Sequence, residues 1–509
     1  MTSSPAAPPG GSPEDASPPP KSTLSKRAVL ALVALRVATS IAVLAAGFRA
    51  ISDDDYSRVV IAQQWASAPK LDPSGTSWLP FPFWVNGAAM LVLGRGLWVA
   101  QAIAIALGIG ATLLAAKAAL LVAKDRGSAW IAGVFITLIG WSAWLGAATV
   151  PELFTASLTL FGAATLTVTS PRARLLGAFA LLAATLSRYE PWPVAIAFAL
   201  WSAVDAARRS ERATALASIV ALAGPATWIA WNRVAHGDPF HFVARVTAYR
   251  RALGEASNES VIARLVAYPV ALAKEMPEVA VPFVALVILV AAPRSRRVVV
   301  DRLRASGPVL ALAGAQIAAL SFALVKDGAP THHPERAVLF PAFAMTLVIA
   351  DVAIALTTRA EAPLRSRWAR ALAIACGAGL FTRAAAAPIL DRSWYAHRES
   401  EVAMGRLVAR ETPADARVLI EVKDYGYFAI EASSGRPERF DTDRELDPRF
   451  RTAAPTYDSE AAFVRDLRAR GFAFVIDAPD DDARGASRWE GAPSWRTERH
   501  RLSRVPESR

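Results

Sequence analysis

The chain has one cysteine among its 509 residues, Cys376, so no intramolecular disulfide can form and cysteine leaves no mark of the compartment. Histidine is scarce too, and the adjacent pair His332 and His333 has no further ligands at zinc spacing, which argues against a zinc centre. No internal repeat is visible. A secretory signal is also missing: residues 1–21 are a Pro/Ser/Ala-rich tail of disordered composition, and the apolar block after them lacks a small-residue cleavage site. That block is expected to remain as an anchor.

Apolar residues are what the chain has in excess. They make up 53% of it, with a mean hydropathy of +0.30, and they recur in blocks longer than a soluble fold needs. Windows of spanning length fall at 28–48, 97–116, 128–146, 150–168, 175–186, 192–204, 213–231, 279–292, 308–325, 338–356 and 369–387, which makes about eleven crossings. The formal charge of +12 would suggest nucleic acid in a soluble protein, but the basic residues collect between alternate windows. Membrane orientation therefore explains the charge, and nucleic acid is not expected as a partner.

Lys26 and Arg27, then Lys117, Lys124 and Arg126, Arg172 and Arg174, Arg208 to Arg212, Arg294 to Arg304, and Arg359 to Arg370 mark the loops expected to be cytoplasmic. The remaining loops then face outward. The windows at 175–186 and 192–204 are short, and as one tilted helix they would reverse everything downstream; the charge pattern favours two. Two residues fit poorly: Arg36, expected to snorkel toward the cytoplasm, and Asp351, deep in the tenth window and without an account.

The organisation read from this pattern is an all-α polytopic membrane bundle with a small α/β extracytoplasmic domain. Residues 1–27 form a cytoplasmic tail, 28–390 the membrane domain, and 391–509 the soluble domain with a charged tail of low order. In the outer loop 49–96, prolines interrupt segments rich in Trp and Phe, which suits helices along the outer surface and a re-entrant piece at 84–93. The loop 232–276 has the same amphipathic character. In the soluble domain, 417–422 and 472–476 read as strands, and 458–470 as a helix ended by Gly471.

Asp53, Asp54 and Asp55 stand directly behind the first window, where membrane meets water and carboxylates are costly. A carboxylate there can take a proton from an attacking hydroxyl or amine; Asp54 is the first choice as base and Asp53 the second. Ser52 with these acids equally suits the start of a helix. The charge-derived topology brings Glu152, Arg188, Tyr189, Glu190, His332, His333 and Arg336 to the same outer face, as an active site requires. The bland alternatives are an interfacial ion pair for Arg188 and Glu190, a Pro-Glu helix start at Pro151-Glu152, and loop histidines.

The acidic run Asp53-Asp54-Asp55-Tyr56 in a first outer loop resembles the GT-C superfamily of membrane glycosyltransferases. So do Arg188-Tyr189-Glu190 and Pro151-Glu152. His332-His333-Pro334-Glu335-Arg336 is similar to the HKExRF motif of dolichyl-phosphate-mannose mannosyltransferases, with His332 and Arg336 matching and His333, Pro334 and Ala337 departing. Asp424-Tyr425-Gly426-Tyr427 is the most recognisable stretch of the soluble domain. The resemblance implies a hexosyl transferase that uses a polyprenyl-phosphate sugar, lies in a bacterial inner membrane, and has a periplasmic C-terminal domain.

Within that resemblance Asp54, with Asp53 as second candidate, activates the acceptor, whether glycan, lipid or protein, for inverting attack. Arg188, Arg336 and His332 meet the departing phosphate, while Asp55, Glu152, Tyr189, Glu190 and His333 help bind substrate. The three carboxylates leave room for a divalent cation, Mg²⁺ or Mn²⁺, at Asp53 and Asp54. The rival class is a multi-spanning transporter or lipid flippase, against which the absence of repeats and the placement of ionisable groups at the outer ends argue.

Overall fold

The structure is a computed structural model that describes residues 23–75, 77–253, 260–326, 333–359, 367, 377, 395–479 and 488–507. His332, Cys376 and the window at 369–387 apart from residue 377 lie outside the described residues. The membrane domain begins with α1 (Lys26–Ala45), α2 (Asp53–Ser67), α3 (Phe81–Leu93), α4 (Leu97–Ala123), α5 (Arg126–Leu138), α6 (Gly140–Leu145), α7 (Glu152–Ala164) and α8 (Pro171–Thr185). It continues with α9 (Trp192–Arg209), α10 (Arg212–His236), α11 (His241–Ala252), α12 (Val261–Glu275), α13 (Pro277–Leu289), α14 (Pro293–Ala305), α15 (Gly307–Val325), α16 (Pro334–Ala337) and α17 (Leu339–Arg359).

Five of these helices, α1, α4, α10, α15 and α17, are long and apolar enough to cross a bilayer. Shorter helices occupy most of the other expected windows. Leu30, Ile219, Ile288 and Phe322 point outward, each more than half exposed. So much apolar surface belongs against lipid. The windows at 175–186 and 192–204 do not merge: α8 and α9 are separate helices joined by a tight turn that carries Arg188-Tyr189-Glu190.

Arg36 does not snorkel. It is fully buried, its Nε donating to Thr112 Oγ1 at 3.0 Å and its Nη1 and Nη2 to the carbonyl and Oγ of Ser142, both at 2.8 Å. Thr112 on α4 and Ser142 on α6 supply the acceptors that hydrocarbon cannot, so the guanidinium turns inward. Gly146 lies against it, with no room for a Cβ beside Nη1. Asp351 on α17 also has an account: its Oδ1 accepts from Ser128 Oγ at 3.2 Å and lies 3.5 Å from Arg302 Nη1, joining α5, α14 and α17.

The soluble domain contains α18 (Glu399–Glu411), β1 (Arg417–Ile420), α19 (Tyr427–Ser434), β2 (Phe440–Thr442), α20 (Glu460–Ala469), β3 (Phe472–Asp477), β4 (Ser494–Arg496) and β5 (Arg501–Arg504). The sheet order is β2-β1-β3-β5-β4, with β2, β1 and β3 parallel and β5 and β4 antiparallel. Strand alternation sends Val418 and Ile420 toward α18 and α19, and Leu419 toward Phe463 and Leu467 of α20. The charged tail expected to be of low order instead completes the sheet. Arg501 is held there by Asp477 at 2.7 Å, and Leu502 and Ser503 are buried.

This domain sits directly on α2. Ala429 and Ala432 of α19 pack with Tyr56, Val59 and Met90, and Gln63 Nε2 donates to the carbonyls of both Arg95 and Ala432 at 2.7 Å. Arg95 makes a two-pronged pair with Glu438 at 2.7 and 3.0 Å. Thus α2, expected to lie along the outer surface, is enclosed between the bundle and the soluble domain, because its apolar residues find protein on both sides.

Candidate active site

The three aspartates occupy the first turn of α2, where carboxylates favour the positive end of the helix dipole. Asp55 is buried. Its Oδ2 accepts from the backbone N–H groups of Ile51 and Ser52 at 3.1 and 3.2 Å, and its Oδ1 from that of Thr149 at 3.0 Å. Burial pushes its pKa up to about 6, against the pull of Arg336 and these hydrogen bonds. Asp55 therefore fastens the start of α2 to the segment before α7.

Asp53 faces the soluble domain, where Arg398 grips both of its oxygens at 2.9 Å. Arg398 also holds Asp424 at 2.9 Å and Glu401 at 3.3 Å. Burial works against the Arg398 charge, but the hydrogen bonds to Asp53 and Asp424 raise its pKa overall. Asp54 is half-buried and has no hydrogen bond or ion pair among the described residues; its field is felt by Arg58 and Arg188. Of the three, Asp54 alone keeps its oxygens uncommitted.

Behind Asp54 lies a buried ionic cluster. Arg188 Nη1 donates to Glu152 Oε1 at 2.7 Å, and its Nε to both oxygens of Glu190 at 3.0 and 3.1 Å. Arg336 Nη1 stands 3.8 Å from the same Glu152 oxygen. Glu152, Arg188, Glu190, Arg336 and Gln316 line a cavity of about 20 Å³, roughly the space of one water. The α8–α9 turn places Arg188 and Glu190, the first turn of α7 places Glu152, and α16 places Arg336. Glu152, Arg188, Glu190 and Arg336, far apart in the chain, thus stand together.

Tyr189 faces elsewhere. Its hydroxyl donates to the Ser77 carbonyl at 2.6 Å and its ring stacks on Phe242, within an aromatic cluster that includes Trp192 and Trp228. His333 is partly exposed, with Nδ1 3.2 Å from Glu335. No group of three or more His, Cys, Asp and Glu side chains suits a metal ion among the described residues. A cation at Asp53 and Asp54 finds a poor ligand set, since Arg398 already occupies both Asp53 oxygens.

Sequence reasoning missed Arg58. One turn after Asp54 on α2, its buried guanidinium lies 4.3 Å from the Trp78 ring centroid, and its Nε and Nη1 have no hydrogen-bond partner among the described residues. Burial lowers its pKa, opposed chiefly by the charges of Glu152 and Asp54. The i, i+4 spacing from Asp54 was the available signal.

Apolar helices with an ionisable cluster at one end, roofed by an α/β domain, define an integral multi-pass membrane protein. No family model and no curated protein matches the chain in sequence. Among solved structures it is similar to ArnT from Cupriavidus metallidurans bound to undecaprenyl phosphate, with a TM-score of 0.61 and 14% identity over 94% of this chain and 98% of that one. The same protein in the apo state gives a TM-score of 0.56 and 13% identity over the same shares. At that identity the likeness establishes a common fold along nearly the whole of both chains.

Proposed function

We propose that the protein is a membrane glycosyltransferase that moves a sugar from a polyprenyl-phosphate donor to an acceptor at the outer face of the membrane. The observation that carries this reading is the uncommitted Asp54 carboxylate beside the buried cations Arg58 and Arg188, with Arg336 in the same cluster. The acceptor oxygen or nitrogen attacks the anomeric carbon and gives its proton to Asp54. The bond from that carbon to the phosphate oxygen breaks with inversion, and polyprenyl phosphate departs with the bonding electrons. Arg58 has N–H groups free to meet the growing phosphate charge, while Glu152 and Glu190 hold Arg188 in place.

The similarity to an ArnT structure bound to undecaprenyl phosphate supports a lipid-phosphate donor. The test is to incubate purified protein with defined polyprenyl-phosphate sugars and an acceptor panel and to measure release of polyprenyl phosphate. Asp54→Asn is expected to cut release by roughly 10²–10⁴-fold while leaving membrane insertion intact. Full activity in that variant, or lipid movement without sugar transfer, would overturn the proposal.

A further inference from the structure

The soluble domain holds a cavity that this chemistry does not use. Its volume is about 320 Å³, within the roughly 300–1,000 Å³ typical of small-ligand sites. Its position follows from the topology: β1 connects through α19 to β2 on one side, and β2 returns through α20 to β3 on the other. The connections diverge between β1 and β3, and open α/β sheets bind ligands beyond the carboxyl ends of such strands. Arg488 bridges this crevice, donating to Glu421 after β1 at 2.6 Å and to Asp477 at the end of β3 at 3.3 Å.

Three carboxylates, Glu421, Asp443 and Glu460, and three guanidiniums, Arg444, Arg470 and Arg488, line the cavity, so its formal charges cancel. A nucleotide or pyrophosphate is a poor match. Glu421-Val422-Lys423-Asp424-Tyr425-Gly426 after β1 is acidic and lacks the glycine-rich turn that cradles phosphate. A neutral polyhydroxylated ring is a good match, because each hydroxyl both donates and accepts. The partly exposed Tyr457 ring on the wall, backed by Phe463 at 4.8 Å between centroids, offers its C–H face an apolar contact.

The same edge of the sheet meets the membrane domain. After β2, Arg449 lies over the ring of Tyr249 in α11 at 5.4 Å, and after β1, Asp424 shares Arg398 with Asp53. We propose that the cavity is a saccharide-binding site that holds part of the acceptor glycan while its reactive end reaches Asp54. The acceptor role rests on the transferase reading; the affinity for saccharide does not.

The test presents full-length protein in detergent to an array of diverse oligosaccharides. A subset is expected to bind, with binding weakened roughly tenfold or more by Ala454→Trp, which fills the cavity from a partly exposed loop, and to a lesser extent by the exposed Glu460→Gln. Thermal unfolding checks that both variants are folded, and Arg444→Ala replaces Ala454→Trp should the latter fail. An array with no bound glycan, or equal binding by wild type and the cavity-filled variant, overturns the site. Release of polyprenyl phosphate from a polyprenyl-phosphate sugar is followed on the same samples. Binding without any release refutes the transferase reading and spares the cavity, whereas release without binding does the reverse.

Discussion

Successive residues on a helix point roughly 100° apart, so three adjacent aspartates in one turn meet three different surroundings. Asp55 points into protein and is consumed by backbone N–H groups, Asp53 points to Arg398, and Asp54 faces the arginines. Asparagine substitution should separate these roles. Asp55→Asn puts an amide among N–H donors and is expected to lower the thermal midpoint. Asp54→Asn should leave the midpoint unchanged and cut turnover by roughly 10²–10⁴-fold, the usual worth of a general base. Arg58→Met should cost roughly 10²-fold in polyprenyl-phosphate release, with partial recovery in Arg58→Lys, as expected for a donor to developing charge. The aspartates, Glu152 and the Arg188 turn were legible because they are charges in an apolar chain. Arg58 was not, since only Trp78 and Phe83, from a separate segment, make it a buried cation instead of an ordinary polar position on a helix.

At the scale of elements, the apolar blocks announced the helices plainly, and the basic residues of the later loops argued for two separate helices at 175–186 and 192–204, as α8 and α9 are. What the pattern concealed were partners distant in sequence. Arg36 reads as a mid-span cation that must snorkel until Thr112 and Ser142 are seen beside it, and β5 reads as a charged tail until Asp477 pairs with Arg501. Gly146→Val is expected to reduce stability measurably in thermal unfolding, because a side chain there must displace the Arg36 guanidinium. The contact between α2 and the start of α18 is open to a double-mutant cycle. Asp53→Asn and Arg398→Met should show a coupling of about 0.5–3 kcal/mol in unfolding free energy, and a value of zero would mean the pair is incidental.

At the scale of the molecule, the soluble domain carries a titration that its own core imposes. Burial, with Asp441 nearby, pushes Glu431 on α19 up to about 8. The folded chain then keeps a proton that the unfolded chain releases above its ordinary value of 4.5, so this group's contribution makes stability fall as pH rises from about 4.5 to about 8 and level off beyond. Glu431→Gln should remove that slope and raise the thermal midpoint at pH 9 by several degrees, read by unfolding scans across pH.

The double grip of the Gln63 amide on Arg95 and Ala432 has a practical corollary for anyone building chimaeras. Exchanging residues 395–507 alone would strip Gln63, Arg95 and Asp53 of their counterparts at a stroke. The transplantable module is discontinuous, so a graft meant to alter acceptor choice has to carry α2 and α3 along with the domain above them.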